Sequence, residues 1–338
     1  MTATRIVDAM LRELNPVPSA ATEPAPLDQR ARADLSLILA TAPGGHLSPA
    51  SHPGQPPVPS RRVLLGSAAV IALGGAAVGA LSVLDRQSGT AYAATPEPLA
   101  FGRPAEPTDP GAVLAGIAAR TAGLPDDTGT GRYAHVETRS WDLFTRIDGQ
   151  RVTSAVVPQH RDQWLAADGS GRLVVTATLP DGRREHADTL AAAGGLALMW
   201  PLRSLSSEVA TLTRQLQAGH PVSNGPAERF AAIRDAYLQM PLPPRVRAAV
   251  LHYLAATPGL TVTGPVTDRG GRNGIGFSVE SAYSGLPTRY TLIIDPRDGR
   301  LLDDEQMLTT SAGKLNVTVP AVIGYTVLLS AAYTDTDR

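Results

Sequence analysis

Residues 63–84, VLLGSAAVIALGGAAVGALSVL, run for 22 positions without a charge, with Arg61 and Arg62 before them and Asp85 and Arg86 after. At about 1.5 Å per residue such a helix is roughly 33 Å long, enough to cross a hydrocarbon core of about 30 Å. The segment reads as a transmembrane helix, and it divides the chain into two sides. The arginine pair flanks it on the N-terminal side, while Asp85 and Arg86 offset each other. The positive-inside bias therefore places the N-terminus in the cytoplasm and the C-terminal part outside the cell membrane. A second reading uses the same residues. Ser60-Arg61-Arg62-Val63-Leu64-Leu65 resembles a twin-arginine export signal, and Ala91-Tyr92-Ala93 has the small-x-small form of a cleavage site, so the chain would be released after Ala93. Both readings export the C-terminal part. Retention is favoured, because the segment lies far from the N-terminus and exceeds a typical signal core.

The cytoplasmic piece, residues 1–40, reads as two short amphipathic helices. Ile6, Val7, Met10, Leu11 and Leu14 recur at helical spacing over Arg5 to Leu14, and Leu27, Ala31, Leu35, Ile38 and Leu39 do so over Leu27 to Ala40. Helices this short are marginal without something to pack on. Val7, Leu11, Leu14, Leu35 and Ile38 are the expected docking positions for a cytoplasmic protein; pairing with each other, contact with the bilayer or partial unfolding are the alternatives. Residues 41–62 form a linker, with six prolines and three glycines between Thr41 and Ser60. A proline-rich stalk follows the membrane segment over 85–110.

Residues 111–335 are expected to form the folded unit, an extracytoplasmic α+β domain. Tyr133 to Trp141 alternates with strand periodicity, and further strand runs occupy Val152 to Val157, Gln163 to Ala167, Arg172 to Leu179, Thr261 to Thr267, Ile275 to Tyr283, Arg289 to Asp295 and Leu301 to Thr310. Asp148-Gly149, Asp168-Gly169, Asp181-Gly182, Asp298-Gly299 and Asn273-Gly274 are read as tight turns, which argues for an antiparallel sheet. Ala112 to Ala122 reads as a helix. Between the strand groups, Leu202 to Ala218, Pro226 to Gln239 and Pro244 to Ala256 read as a helical insert covering one face of that sheet, with Pro226 and Pro244 suited to first-turn positions. No cysteine is present, so the exported domain must be held by its own core.

No catalytic signature emerges, and an enzyme is not expected. There is no Cys and no Gly-x-Ser-x-Gly, and Ser311-Ala-Gly-Lys314 matches Ser-x-x-Lys by letter but precedes strand-like alternation. Histidines 135, 160, 186, 220 and 252 show no two at metal-ligand spacing, so neither a metal nor a cofactor is expected. Asp303-Asp304-Glu305 reads as a solvated strand edge, and the glycine-rich run Gly270 to Gly276 as a hairpin rather than a phosphate loop. Thirty basic against 31 acidic residues give a net charge of -1, which excludes a general attraction to nucleic acid. Trp141, Trp164 and Trp200 are the only tryptophans; they are candidates to line a ligand cleft or to pack the core.

Several stretches carry a resemblance: His160-Arg161-Asp162-Gln163-Trp164-Leu165-Ala166-Ala167-Asp168-Gly169-Ser170-Gly171-Arg172, Pro226-Ala227-Glu228-Arg229-Phe230, Met240-Pro241-Leu242-Pro243 and Tyr283-Ser284-Gly285-Leu286-Pro287-Thr288-Arg289-Tyr290-Thr291. With Leu11-Arg12-Glu13-Leu14 and the arginine pair before the anchor, the chain resembles a family of uncharacterised actinobacterial single-pass membrane proteins. Members often accompany extracytoplasmic-function sigma factors, so the resemblance implies an anti-sigma-like envelope regulator or sensor with a sigma factor as partner. The His-x-x-x-Cys-x-x-Cys of zinc-type anti-sigma domains is absent. The alternative is an exported lipid- or lipoprotein-binding domain resembling lipoprotein carriers, which would hold an apolar cavity between sheet and helices.

Overall fold

The computed structural model describes residues 94–104, 108–148, 151–179 and 182–337. The expected cytoplasmic helices with Val7, Leu11, Leu14, Leu35 and Ile38, the linker and the segment 63–84 all lie outside the described residues. Among the described residues no helix is long and apolar enough to cross a membrane.

A helix, α1 (Pro110–Ala122), precedes four strands, β1 (Tyr133–Asp148), β2 (Arg151–Ala166), β3 (Gly171–Thr178) and β4 (Arg184–Ala191). Three helices follow, α2 (Val209–Gly219), α3 (Pro226–Gln239) and α4 (Pro244–Ala255), and then β5 (Thr261–Thr267), β6 (Asn273–Ser281), β7 (Thr288–Ile294), β8 (Leu301–Leu308) and β9 (Ala321–Thr334). The strands form one antiparallel sheet in the order β4-β3-β2-β1-β9-β8-β7-β6-β5. Two meanders, one on each side of the helical insert, are thus joined where β9 returns to pair with β1. The domain is α+β, as the pattern of alternating runs and helices predicts.

Local chemistry explains most element ends. The Asp109 carboxylate accepts from the amides of Gly111 and Ala112, both at 3.1 Å, and Pro110 opens α1 where its missing N–H costs nothing. Pro226 and Pro244 open α3 and α4 in the same way. The expected helix from Leu202 begins only at Val209, because Arg203 has a positive φ of 62° and the Glu208 carboxylate caps the amides of Ala210 and Thr211 at 2.8 and 2.6 Å.

Besides β4 and β9, which the expected runs do not include, the strand expectations need three corrections. Val152 to Val157 and Gln163 to Ala167 belong to one strand, β2. Pro158 stands one residue beyond the last β2–β3 pair, where a proline disturbs the ladder least. Asn273-Gly274 is not a turn but the start of β6. The chain reverses over Asp268 to Arg272, with Gly271 at φ 81° and the Asp268 carboxylate accepting from the amides of Gly270 (3.0 Å) and Arg272 (2.6 Å). Asp303-Asp304-Glu305 is no solvated edge: β8 lies between β7 and β9, and the three residues are 0%, 7% and 4% exposed. Side-chain alternation sends Asp304 toward Arg234 on one face and Glu305 toward Arg269 on the other.

The helices cover one face, here called inner, with α3 resting on β1 and β6 to β8 and α1 packing on α4. Phe230, Ile233, Ala236 and Tyr237 of α3 share a buried cluster with Phe277, Val279, Leu292 and Ile294 of the sheet and with Leu114, Val250 and Leu254 of the other helices. The apolar cavity expected between sheet and helices is instead filled by these side chains. On the outer face Trp141, Leu143, Leu308, Leu315, Val317 and Ala321 form a second cluster, while Leu99 and Phe101, from the stretch expected to be stalk, pack on Val266, Ile293 and Leu302.

Candidate functional site

The three tryptophans share no cleft. Trp200 lies in the main core, its Nε1 donating to the Gln215 carbonyl at 2.9 Å. Trp141 stacks on Tyr325 and Trp164 on His135, both on the outer face. Each is at most 8% exposed, so all three act as packing.

The inner face carries a chain of buried charges that linear reading does not reveal. Arg234 of α3 points down to Asp304 of β8, 3.7 Å away, and also holds its neighbour Asp235 at 3.1 Å. Asp235 reaches His220 Nε2 at 3.5 Å, and His220 Nδ1 meets Glu228 at 2.8 Å. Burial works against the charge on Arg234, but Asp235 and Asp304 more than offset it, and its pKa is raised. Acids outnumber the guanidinium. Burial pushes the Asp142 carboxyl up to about 7, with Ser140 opposing and Asp304 adding to the rise. Burial likewise pushes Asp304 up to about 6, against the pull of Arg234.

A cleft of about 300 Å³, lined by several arginines and aspartates, opens between the α3–α4 junction, the β7–β8 turn and β9. Arg247 dominates it. Its guanidinium grips both oxygens of Asp127 at 2.7 and 3.0 Å and donates to the carbonyls of Leu242 and Asp298, each at 3.0 Å. Arg300 also donates to Asp127, and Tyr237 donates to the Gly299 carbonyl at 3.1 Å. Burial pulls against the ionised Asp127, yet the two guanidiniums more than offset that and hold its carboxyl below the ordinary range. The other cleft arginines, Arg272 and Arg297, pair with Asp268 and Asp295. These charges are matched within the fold, and the cleft reads as a lock between helices and sheet.

Arg161 differs from all of these. It stands on the inner face of β2, opposite Thr138 of β1 and Val175 of β3. On the same face Phe144, Ala155, Val157, Leu173, Val175 and Ala177 form an apolar cluster. Its guanidinium donates to the Gln163 side-chain oxygen, while its Nε is shielded from solvent and has no hydrogen-bond partner. No acidic residue among those described pairs with it. Burial alone pulls its pKa down to about 10. The residue as a whole is half-buried rather than sealed in the core. The signal for this site, an arginine in phase with the inward apolar positions of β2, depends on knowing that Gln159 to Asp162 continue the strand.

Comparison with known proteins adds little. No family model and no curated protein matches the chain. Among solved structures, a chain of the Pseudomonas aeruginosa MucA/MucB complex matches at 14% identity and a TM-score of 0.23, covering 68% of this chain and 60% of that one. The chain thus spans less than two thirds of that protein's length, and a likeness at this level gives no ground for assigning fold or function.

Proposed function

We propose that this chain is a non-enzymatic, single-pass membrane regulator whose extracytoplasmic α+β domain senses an anionic lipid at Arg161, and whose cytoplasmic helices dock a protein such as a sigma factor. The observation that carries the ligand is the unmatched Arg161 on an apolar stretch of the inner face. A poorly solvated cation without a counter-charge is costly, and the two fully buried arginines, Arg234 and Arg247, are matched with acids. A ligand with a carboxylate or phosphate head supplies the missing anion, and Phe144, Val157 and Val175, packed in the fold, form the apolar floor that makes the charge costly. The cytoplasmic half rests on the amphipathic spacing of Val7, Leu11, Leu14, Leu35 and Ile38 and on the family resemblance.

Oleate and its methyl ester, titrated against the full chain in detergent with fluorescence readout, test the ligand. The free carboxylate should bind at least about tenfold more tightly, a difference of roughly 1.4 kcal/mol, and Arg161→Met should erase that preference. Equal affinity for acid and ester in the unmodified protein would remove Arg161 from the reading.

A further inference from the structure

The outer face holds a second constellation, on the same strands. Glu137 of β1 stands directly across from Asp162 of β2. Two like charges so placed repel each other. Between them comes His160, whose Nε2 lies 3.0 Å from Glu137 Oε1 and 3.7 Å from Asp162 Oδ2. Two carboxylates therefore converge on one imidazole nitrogen. A single N–H can be aimed at only one of them, whereas a cation between the groups takes a lone pair from each and compensates the repulsion.

The dimensions suit a small divalent metal. The three ligand atoms all lie within 4.8 Å of one another. A tetrahedral zinc ion with bonds of about 2.0–2.2 Å separates its ligand atoms by about 3.3–3.6 Å, and the two measured separations fall on either side of that range. The remaining carboxylate oxygens are already occupied. Asp162 Oδ1 meets His135 Nε2 at 3.1 Å, and Glu137 Oε2 accepts from Ser330 at 3.0 Å. These contacts leave the oxygens facing His160 to coordinate, and outer partners of this kind orient metal ligands. Trp164 stacks on His135 with 4.6 Å between ring centroids and fixes it in turn. The nearest guanidinium on this face of β1, that of Arg139, donates away to the Arg269 carbonyl at 3.0 Å.

We propose that Glu137, His160 and Asp162 form a divalent transition-metal site of the zinc type, with a water in the fourth position. One nitrogen and two carboxylate oxygens suit zinc; calcium requires six to eight oxygens. His160 is 48% exposed on its side chain, so the ion has a path from solvent. His160 and Asp162 point outward and Arg161 inward, so a metal here pins the stretch of β2 that presents Arg161.

The test uses the full chain in detergent, without a histidine tag and stripped with chelator, titrated with Zn²⁺ by calorimetry and with Co²⁺ by visible absorption. Saturable binding of one metal per chain is expected, with a cobalt ligand-field band and no comparable binding of Ca²⁺ or Mg²⁺. His160→Ala and Asp162→Asn should each abolish it, and His135→Gln should weaken it on the order of tenfold. A His46→Asn, His52→Asn double variant should bind as the parent does. Absence of saturable zinc binding, or binding that survives both His160→Ala and Asp162→Asn, overturns the site. Circular dichroism checks folding, and Glu137→Gln decides the matter should His160→Ala fail to fold. These readouts are independent of oleate binding at Arg161.

Discussion

Arg247 and Arg161 belong to the same fold but are used in opposite ways. Arg247, at the β7–β8 end, has both oxygens of Asp127 and two backbone carbonyls, so its donors are matched within the chain. Arg161, on the β1–β3 side, has one amide oxygen, a shielded Nε without a partner and no described acid. The first arrangement closes the structure, tying the Asp127 loop, the α3–α4 junction and the β7–β8 turn together. The second leaves a charge uncompensated where function can use it. Burial of an arginine is therefore no guide to its role; the completeness of its partners is.

The largest expected effect tests the closed end. Arg247→Met should destabilise the domain by about 3 kcal/mol, because it leaves Asp127 with Arg300 alone and two carbonyls without their donor. Chemical denaturation reads this as a fall in the midpoint at unchanged slope. A loss under about 1 kcal/mol would mean that the bidentate pair only covers the break-even cost of burying it.

Asp142 and Asp304 lie between the two ends, and they make stability depend on pH. Their folded pKa values, about 7 and about 6, stand above the ordinary carboxylate range because of burial. The folded state then binds protons more tightly than the unfolded one. The stabilisation is fully present below about pH 4 and is lost as pH rises through about 6 to 7. Asp142→Asn should flatten that part of the profile and leave the variant more stable than the parent at pH 8, by up to about 1.4 kcal/mol for each unit of pKa removed. Thermal melts of parent and variant between pH 4 and 8 measure it. Parallel curves would show that Asp142 stays ionised in the fold.

At the open end the sign reverses. Arg161→Met should raise stability by on the order of 1–2 kcal/mol, because it removes a poorly solvated charge and adds apolar contact with Val175. A destabilised variant would show that Gln163 and residual solvent satisfy the guanidinium.

How much of this was legible beforehand follows from the kind of signal each element carries. Strands with one face toward solvent alternate, and β3, with its regular buried and half-buried alternation, is read almost to its ends. β9 is missed because a central strand packed on both faces, AVIGYTVLLSAAYT, reads as a plain apolar run. β4 is missed for the opposite reason. REHADTLA is an exposed edge strand with hardly any apolar face. The proline-led helices α1, α3 and α4 are legible from their prolines and apolar spacing, whereas α2 is over-extended, since nothing in Leu202 to Ser207 announces the positive φ of Arg203. The candidate sites are illegible for a topological reason. Glu137 meets Asp162 only through the β1–β2 register, and Arg234 meets Asp304 only through docking of α3 on the sheet. Linear spacing holds neither fact, so histidines with no ligand spacing along the chain converge across strands.

The smallest effect sharpens the contrast within the closed end itself. Arg297 lines the same cleft as Arg247 and pairs with Asp295 at 2.7 Å, yet its side chain is 80% exposed. Water screens that pair and competes for both partners, while the long side chain gives up rotamer freedom to form it. Burial works against the ionised Asp295, which the Arg297 guanidinium and amide more than offset, so the pair exists at neutral pH. Existing and stabilising are different matters. Arg297→Ala should cost no more than about 0.5 kcal/mol, and added salt should shrink the difference further. A cost approaching that of Arg247→Met would show that the β7–β8 turn depends on this rim pair, and would extend the closed network to the surface.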